Sequence, residues 1–85
     1  MTPTHHTVLI TGGATGIGFA LAKKFHSAGN RVILVGRREE ALRQAAAQLS
    51  GCLIAVADVS QETDRKRLVR DFPDVSILVN NAGVQ

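Results

Sequence analysis

Residues 7–18 of the chain, TVLITGGATGIG, join a short apolar run to a turn that is rich in glycine. Val8, Leu9 and Ile10 are typical of a buried strand, and an amphipathic helical pattern begins directly after the last glycine. A strand that leads through a glycine turn into a helix gathers unpaired backbone N–H groups at the positive end of that helix. The segment therefore predicts a binding site for a phosphate or pyrophosphate group.

The glycines of this turn have separate expected roles. Gly12 allows the chain to turn sharply as it leaves the strand, Gly16 removes a Cβ where backbone approaches a ligand, and Gly18 lets the helix pack closely. Their spacing is G-x-x-x-G-x-G rather than the commoner G-x-G-x-x-G. Glycines alone also fit a tight turn without a ligand, so the strand and helix patterns on either side carry the interpretation.

The composition indicates one small globular domain. The chain has 85 residues, is 45% hydrophobic and carries a net charge of +3. The basic residues are spread over three predicted elements and there are only three Phe, with no Trp or Tyr, so a nucleic-acid-binding surface is not expected. The basic run at residues 65–70 is interpreted as a solvated helix face.

The compartment is predicted from cysteine use and from the absence of long apolar runs. Cys52 is the single cysteine, which excludes an internal disulfide and indicates a reducing compartment. The sequence shows no secretory signal pattern and no run of 18 apolar residues. We therefore expect a cytoplasmic protein without a membrane partner. His5 and His6 have no convergent ligands in the sequence, so no metal site is expected.

Strand and helix patterns alternate along the whole chain. Strands are predicted at residues 7–11, 31–36, 52–57 and 75–80, and helices at 16–28, 39–49 and 61–71, the last with Ser60 as its cap. The almost uninterrupted apolar run of the second strand is typical of a strand that is covered on both faces, and the third strand is predicted to be buried as well. This βαβαβαβ order predicts an α/β fold with a parallel, Rossmann-like sheet of strand order 3-2-1-4, one half of a doubly wound domain.

In such a sheet the ligand lies outside the carboxyl ends of the strands, where the strand order reverses. The glycine turn, Arg37, Asp58 and residues 80–83 each follow one of the predicted strands. Because parallel strands end at the same edge, these four segments are expected to converge on one site.

The residues that follow these strands resemble a known family. Residues 11–18, the pair Asp58 and Val59, and residues 80–83 (NNAG) resemble the TGxxxGxG, DV and NNAG motifs of the short-chain dehydrogenase/reductase family. The match extends over essentially the whole chain, and within the family it is to bacterial oxidoreductases of the DltE type. The resemblance implies that residues 1–85 are the N-terminal dinucleotide-binding half of a Rossmann-fold domain.

The resemblance also implies a set of cofactor-binding residues along this edge: Gly12, Ala14, Thr15, Gly16, Ile17, Gly18, Arg37, Arg38, Asp58, Val59, Asn81, Ala82 and Gly83. The glycine turn would hold the pyrophosphate, with Ala14 and Thr15 near the adenosine ribose and its phosphate. Asp58 would accept a hydrogen bond from the adenine amino group and Val59 would lie against the ring. Residues 81–83 would lie along the ribose, and Thr11 would tie the first strand to the NNAG turn. Asn80 and Gly83 equally fit a role in shaping that turn.

Arg37 and Arg38 predict the choice of cofactor. An acidic residue at the end of the second strand binds a ribose 2′-hydroxyl, whereas an arginine there accommodates a 2′-phosphate. The chain has Gly36, Arg37 and Arg38 before its first acid, Glu39, so NADP is favoured over NAD. A solvent-facing role for Arg38 at the start of the helix remains the alternative.

The family's catalytic chemistry lies outside this sequence. Members use a Tyr-x-x-x-Lys pair with a Ser beyond the NNAG turn to pass a hydride between nicotinamide and a carbonyl or alcohol, and this chain contains no Tyr. No catalytic residue is therefore assigned, and the chain alone is expected to be inactive. The alternative is a module that acts only in binding or self-assembly, without nucleotide turnover.

The fourth strand predicts self-association. Without its usual neighbour, an apolar edge strand is a template for pairing with another chain. We expect a homodimer through residues 75–80, or an exchange of elements between two chains.

Overall fold

The computed structural model describes residues 5–81, in which strands and helices alternate as the sequence predicts. The elements are β1 (Thr7–Thr11), α1 (Gly16–Ser27), β2 (Arg31–Gly36), α2 (Glu39–Ala46), β3 (Leu53–Val56), α3 (Glu62–Asp71) and β4 (Ile77–Asn80). Ala82 and Gly83, two of the expected site residues, lie outside the described residues. None of the helices within 5–81 is long and apolar enough to cross a membrane.

The four strands form one parallel sheet in the order β3-β2-β1-β4, which confirms the predicted topology. In the register of the sheet, Thr11 at the end of β1 lies beside Val35 of β2 and Asn80 of β4. The carboxyl ends of the strands are therefore level with one another. The strand order reverses at β1, which places the predicted crevice above the carboxyl ends of β1 and β4.

The two faces of the sheet are covered by different helices. On what we call the two-helix face, Val8, Ile10, Val32 and Leu34 pack against α1 and α2, and all four are essentially inaccessible to solvent. On the one-helix face, Leu9, Ile33 and Val35 pack with Leu68 of α3. Alternating residues of β1 and β2 face opposite sides of the sheet, so both central strands are buried on both faces.

The structure corrects the interpretation of the third strand. β3 spans only Leu53–Val56, and its residues are half-buried or exposed rather than covered on both faces. The reason is its position, because within residues 5–81 β3 is an edge strand with a neighbour on one side only. An apolar run in the sequence shows a preference for burial but not how many neighbours the sheet provides.

Two helix boundaries also differ from the prediction. The α-helical part of α2 ends at Ala46, and the predicted extension to Leu49 forms tighter turns in which the Gln48 N–H donates to the Ala45 carbonyl. Leu49 is still buried in the core of the two-helix face, which explains the helical pattern of the sequence there. Ser60 does not cap α3: the cap position is Gln61, and no side chain caps the helix.

Candidate functional site

The glycine turn is fixed to the sheet by hydrogen bonds to β2. The N–H groups of Gly12 and Gly13 both donate to the Val35 carbonyl, over 2.9 and 3.3 Å. Gly12 and Gly16 adopt φ angles of 65° and 50°, a left-handed conformation that side chains with a Cβ rarely adopt. The sharp turn predicted at Gly12 is thus present, and the chain needs glycine at both positions.

Gly16 and Gly18 lie in very different surroundings. A Cβ on Gly16 would meet no atom within 4 Å, so the space above this residue is open. A Cβ on Gly18 would collide with the Gly12 carbonyl and would lie 2.8 Å from Asn81 Nδ2. The close approach predicted for Gly18 is therefore confirmed, and its partners are the start of the glycine turn and the segment after β4.

The positive end of α1 faces the same open space. Thr15 is in the cap position with an extended backbone, its side chain forms no capping hydrogen bond, and the first turn of α1 contains no acidic residue. Ile17, in that first turn, is 68% exposed. Within the described chain, this helix end thus carries its partial positive charge without a neutralising side chain, which favours an anionic group.

Gly13 is a residue to which the sequence gave no role. A Cβ at this position would lie 2.7 Å from Leu34 Cδ2 and 3.0 Å from the Ile10 carbonyl oxygen. Gly13 therefore keeps the turn close to the core of the two-helix face. The sequence signalled only that the position is glycine, since its neighbour Leu34 is distant along the chain.

Thr11 joins the end of β1 to the segment after β4. Its buried hydroxyl accepts a hydrogen bond from the Asn81 N–H at 2.9 Å and donates to Asn80 Oδ1 at 3.3 Å. The Asn81 side chain reaches back to the Gly12 carbonyl over 3.4 Å. The predicted tie between the first strand and the NNAG segment is confirmed, and it holds Asn81 against the glycine turn.

Asp58 is held in a compact turn after β3. Its Oδ1 accepts hydrogen bonds from the Ser60 hydroxyl at 2.6 Å and the Ser60 N–H at 3.0 Å, while its own N–H donates to Asp64 Oδ2 at 2.7 Å. The hydroxyl and then the N–H of Ser60 lower the pKa of Asp58, and the charge of Arg37 adds to this effect. Asp58 is therefore ionised at neutral pH and is a hydrogen-bond acceptor only.

Ser60 and Asp64 are hydrogen-bond partners of Asp58 that the sequence prediction missed. Ser60 orients the Asp58 carboxylate instead of capping α3, and Asp64 fixes the backbone of Asp58 from the first turn of that helix. The signal was present as an Asp followed two residues later by Ser, a pattern that favours a local side-chain turn.

Arg37 and Arg38 occupy the connection between β2 and α2, and both are exposed. The Ala57 N–H donates to the Gly36 carbonyl at 2.8 Å, which brings the ends of β2 and β3, and with them Arg37 and Asp58, to the same edge. Among residues 5–81 no ion pair involves Arg37 or Arg38. Glu39, the acid that follows them, accepts a hydrogen bond from Arg43 Nε at 2.7 Å.

Other candidates from the sequence do not join this site. Cys52 is half-buried at the start of β3, and burial raises the pKa of its thiol, so it is a poor nucleophile. The residues that the structure describes contain no cluster of three or more His, Cys, Asp or Glu side chains that would suit a metal ion.

Val59, expected beside the adenine, also lines a pocket of about 300 Å³ between α3 and β4.

A parallel sheet of order 3-2-1-4, with a glycine turn and a helix N-terminus where the order reverses, defines a Rossmann-type nucleotide-binding fold. Comparison with known proteins identifies the family: the model of the short chain dehydrogenases matches residues 6–85, and the chain belongs to that family.

The relatives include proteins of different assigned activities. The chain is 43% identical to "Uncharacterized oxidoreductase DltE" of Bacillus subtilis, covering 100% of this chain and 35% of that protein. It is 41% identical to a serine 3-dehydrogenase of Rhizobium radiobacter, covering 92% of this chain and 33% of the relative. The chain thus spans about a third of the length of these two relatives.

Solved structures agree with the fold. A short chain dehydrogenase/reductase family protein superposes with a TM-score of 0.91 at 38% identity, over 99% of this chain and 36% of that one. The Pseudomonas aeruginosa RhlG/NADP active-site complex gives a TM-score of 0.87 at 36% identity, over 98% and 36% of the two chains.

Proposed function

We propose that this chain is the NADP(H)-binding N-terminal segment of an oxidoreductase that transfers a hydride between nicotinamide and a carbonyl or alcohol group. The observation that carries the proposal is the convergence of the glycine turn, Arg37 and Asp58 at the carboxyl edge of one sheet. The RhlG structure, which has the same fold over this region, is described as an NADP complex and supports the cofactor class. When bound, the nicotinamide supplies the hydride chemistry.

The glycine turn fits the pyrophosphate. The open space above Gly16 lies at the positive end of α1, where no side chain caps the helix. Gly12 and Gly16 have a left-handed backbone and, as glycines, carry no Cβ that would occupy this space. In this proposal Ala14 and Thr15 lie near the adenosine ribose and its phosphate, with Ile17 beside the pyrophosphate. The N–H groups of Gly12 and Gly13 are engaged by Val35, so the anion is bound by the backbone N–H groups of the turn after Gly13 and of the first helical residues.

Asp58 and Val59 fit the adenine. The ionised Asp58 carboxylate accepts a hydrogen bond from the adenine amino group, and the two bonds from Ser60 to its Oδ1 keep it oriented. Val59 packs against the ring. Asn81, fixed by Thr11 and Gly12, lies along the ribose, and we extend that role to Ala82 and Gly83.

Arg37 and Arg38 select NADP over NAD in this proposal. Both side chains are exposed beside the site, and the nearby Glu39 is engaged by Arg43 rather than directed at a ribose hydroxyl. A guanidinium forms strong, often bidentate contacts with a phosphate. The positive charge of Arg37 contributes to the lowered pKa of Asp58, which ties Arg37 to the Asp58 side of the site.

Catalysis, location and assembly complete the proposal. The 85 residues contain no Tyr, so we expect this chain to bind the cofactor without turning it over. Its single cysteine favours the cytoplasm, and the outer edge of β4 favours a homodimer, or two chains that exchange elements.

The exposed β4 edge also supports a second candidate function, a self-assembling Rossmann-like module without nucleotide turnover. Leu78 of this strand is 66% exposed, and β4 has a neighbour on one side only in the described sheet. Such a module would form dimers without a need for nucleotide.

Calorimetric titration of the chain with NADP⁺ and with NAD⁺ tests the proposal. We expect tighter binding of NADP⁺, and Arg37→Ala should weaken it by about 10- to 100-fold, since a hydrogen bond to a charged group contributes roughly 1.5–3 kcal/mol. Binding of NAD⁺ should be almost unchanged, because it lacks the 2′-phosphate. Arg70→Ala, which removes the same charge at the far end of α3, is the matched control.

Two outcomes would count against this function. Equal affinity for both cofactors, unaffected by Arg37→Ala, would remove the role of the arginine. Failure of a folded chain to bind either cofactor, together with dimers in sedimentation, would favour the assembly module.

A further inference from the structure

Two arginines of the basic run at residues 65–70 bind the segment that leads from β3 to α3. Arg65 Nη1 donates to the Val59 carbonyl at 2.7 Å, and Arg67 Nη2 donates to the Val56 carbonyl at 2.8 Å. The sequence interpreted the whole run as a solvated helix face. In the structure, two of its four basic side chains are hydrogen-bonded to backbone near the proposed adenine position.

The end of β3 presents backbone groups that no strand binds within residues 5–81. β3 is an edge strand of the described sheet, and β2 is its neighbour there. The Ala57 N–H donates to the Gly36 carbonyl at 2.8 Å. Because successive residues of an extended chain direct their backbone groups to opposite sides, the Val56 carbonyl and the Asp58 N–H point away from β2. Each of these two groups needs a partner from another element.

α3 provides a partner of the matching kind for both groups. Arg67 is the donor for the Val56 carbonyl, and Asp64 Oδ2 accepts a hydrogen bond from the Asp58 N–H at 2.7 Å. Arg67 Nη2 also lies 3.5 Å from Asp64 Oδ1. These two side chains are 43% and 30% exposed, less than those of the other ion pairs in the described part of the chain, so solvent screens this pair least. Asp64 and Arg67 thus fix each other as well as the chain after β3.

We infer, on the basis of the proposed nucleotide-binding function, that Asp64 is a positioning residue for the adenine, with Arg65 and Arg67 in support. We call these three side chains the α3 clamp. They act through the two residues that contact the adenine in the proposed function. Asp64 fixes the backbone of Asp58, and Arg65 fixes the carbonyl of Val59. The adenine-binding segment is thus held in one conformation before the nucleotide binds.

A carboxylate that is held in one position discriminates between purine bases. Two hydrogen bonds from Ser60 fix Asp58 Oδ1, and the ionised group accepts hydrogen bonds but donates none. The 6-amino group of adenine is a donor and fits this carboxylate, whereas hypoxanthine has a carbonyl oxygen at the same position and is repelled by it. A site built to bind an N–H group rejects an analogue without it, because the polar group of the site is then left unpaired. The α3 clamp prevents the Asp58 segment from turning away to avoid this cost.

The test titrates the chain with NADP⁺, with NAD⁺ and with nicotinamide hypoxanthine dinucleotide phosphate, in which a carbonyl oxygen replaces the 6-amino group of NADP⁺. The unmodified chain should prefer NADP⁺ over the hypoxanthine analogue by about tenfold or more, as expected for a hydrogen bond to a charged group. Asp64→Ala should reduce this preference to less than about threefold, because the Asp58 segment is then free to turn. The preference for NADP⁺ over NAD⁺ should stay unchanged, since Arg37 is intact. A loss of structure alone would lower the affinity for all three dinucleotides in proportion.

Three further variants complete the test. Asp64→Asn keeps an oxygen that accepts from the Asp58 N–H and should retain the preference for adenine over hypoxanthine. Arg67→Ala removes the side chain that fixes Asp64 and should lower that preference, which also keeps the test decisive if Asp64→Ala does not fold. Lys66→Ala breaks only the exposed pair with Glu62 and is the matched control, with both preferences unchanged. Circular dichroism checks that each variant is folded.

Three results would overturn the positioning role. Full preference for adenine in folded Asp64→Ala and Arg67→Ala would remove the role and leave the proposed function intact. A parallel fall of both preferences would show that the clamp supports the fold in general rather than the adenine end of the site. An unmodified chain that binds none of the three dinucleotides would overturn the proposed function, and the role of Asp64 with it.

Discussion

The two faces of the sheet are completed to different degrees. On the two-helix face, Val8, Ile10 and Leu34 are fully inaccessible beneath α1 and α2. On the one-helix face, Leu68 of α3 is buried but Leu78 and Val69 remain exposed. The apolar residues on both faces are similar in type, so the difference arises from the number of helices that cover them. The stability of this chain is thus expected to depend mainly on the two-helix face.

The candidate site draws on both faces. The glycine turn leads into α1 on the two-helix face, whereas Asp58 and Ser60 lead into α3 on the one-helix face. Substitutions on the glycine side should therefore affect both folding and binding, while those on the Asp58 side should have smaller effects on folding.

The largest contrast is expected between two leucines. Leu34→Ala should lower the free energy of unfolding by about 2–5 kcal/mol, because it leaves a cavity beneath two helices. Leu78→Ala should change it by less than about 0.5 kcal/mol, since the side chain is largely solvated. Urea denaturation followed by circular dichroism measures both. Equal losses would show that the one-helix face is as well packed as the other.

Two glycines separate packing from binding. Gly18→Ala should destabilise the chain by about 1–3 kcal/mol, because its Cβ collides with the Gly12 carbonyl and approaches Asn81. The Cβ of Gly16→Val would meet no atom within 4 Å and the variant should cost about 1–2 kcal/mol of backbone strain, but its side chain fills the proposed pyrophosphate space. Denaturation and NADP⁺ titration of both variants test this. Undiminished nucleotide affinity in folded Gly16→Val would contradict the placement of the pyrophosphate.

The smallest effect is expected at Asp58. Because its pKa in the folded chain is lowered, chiefly by Ser60, the charged carboxylate stabilises the fold at and above the ordinary carboxyl pKa. This contribution should be lost as the pH falls through the lowered pKa. Asp58→Asn should therefore reduce the acid dependence of the unfolding midpoint slightly and lower stability at neutral pH by a similarly small amount. A stability that rises as the pH falls through the lowered pKa of Asp58 would have the wrong sign.

Much of the fold followed from local patterns. The alternation of apolar runs and helical periodicities predicted the seven elements, and the chirality of their connections predicted the strand order that the structure has. The bounds of β1 and β2 agree with the prediction, because glycine and polar residues mark the ends of both strands. For the site, the sequence placed the glycine turn, Arg37 and Asp58 at one edge, since parallel strands all end there.

Two other features did not follow from apolar content and residue type. The sequence interpreted β3 as a buried strand and Ser60 as a helix cap, and both interpretations were wrong. β3 is an edge strand, and the Ser60 hydroxyl bonds to Asp58 two residues before it. Apolar content and residue type do not specify how many neighbours a strand has, or whether a hydroxyl accepts from a helix N–H or donates to a nearby carboxylate.

The sequence by itself determined the parallel α/β architecture and the set of residues at its carboxyl edge, because periodicity and glycine spacing act over a few residues. Only the tertiary structure decided that Gly18 packs against Gly12 and Asn81, and that Leu78 and Val69 lie uncovered beside each other. Gly18 and Asn81 are more than fifty positions apart, and Val69 and Leu78 belong to different elements. The energies of these features depend on the spacing of strands and helices in three dimensions, which local preferences do not encode.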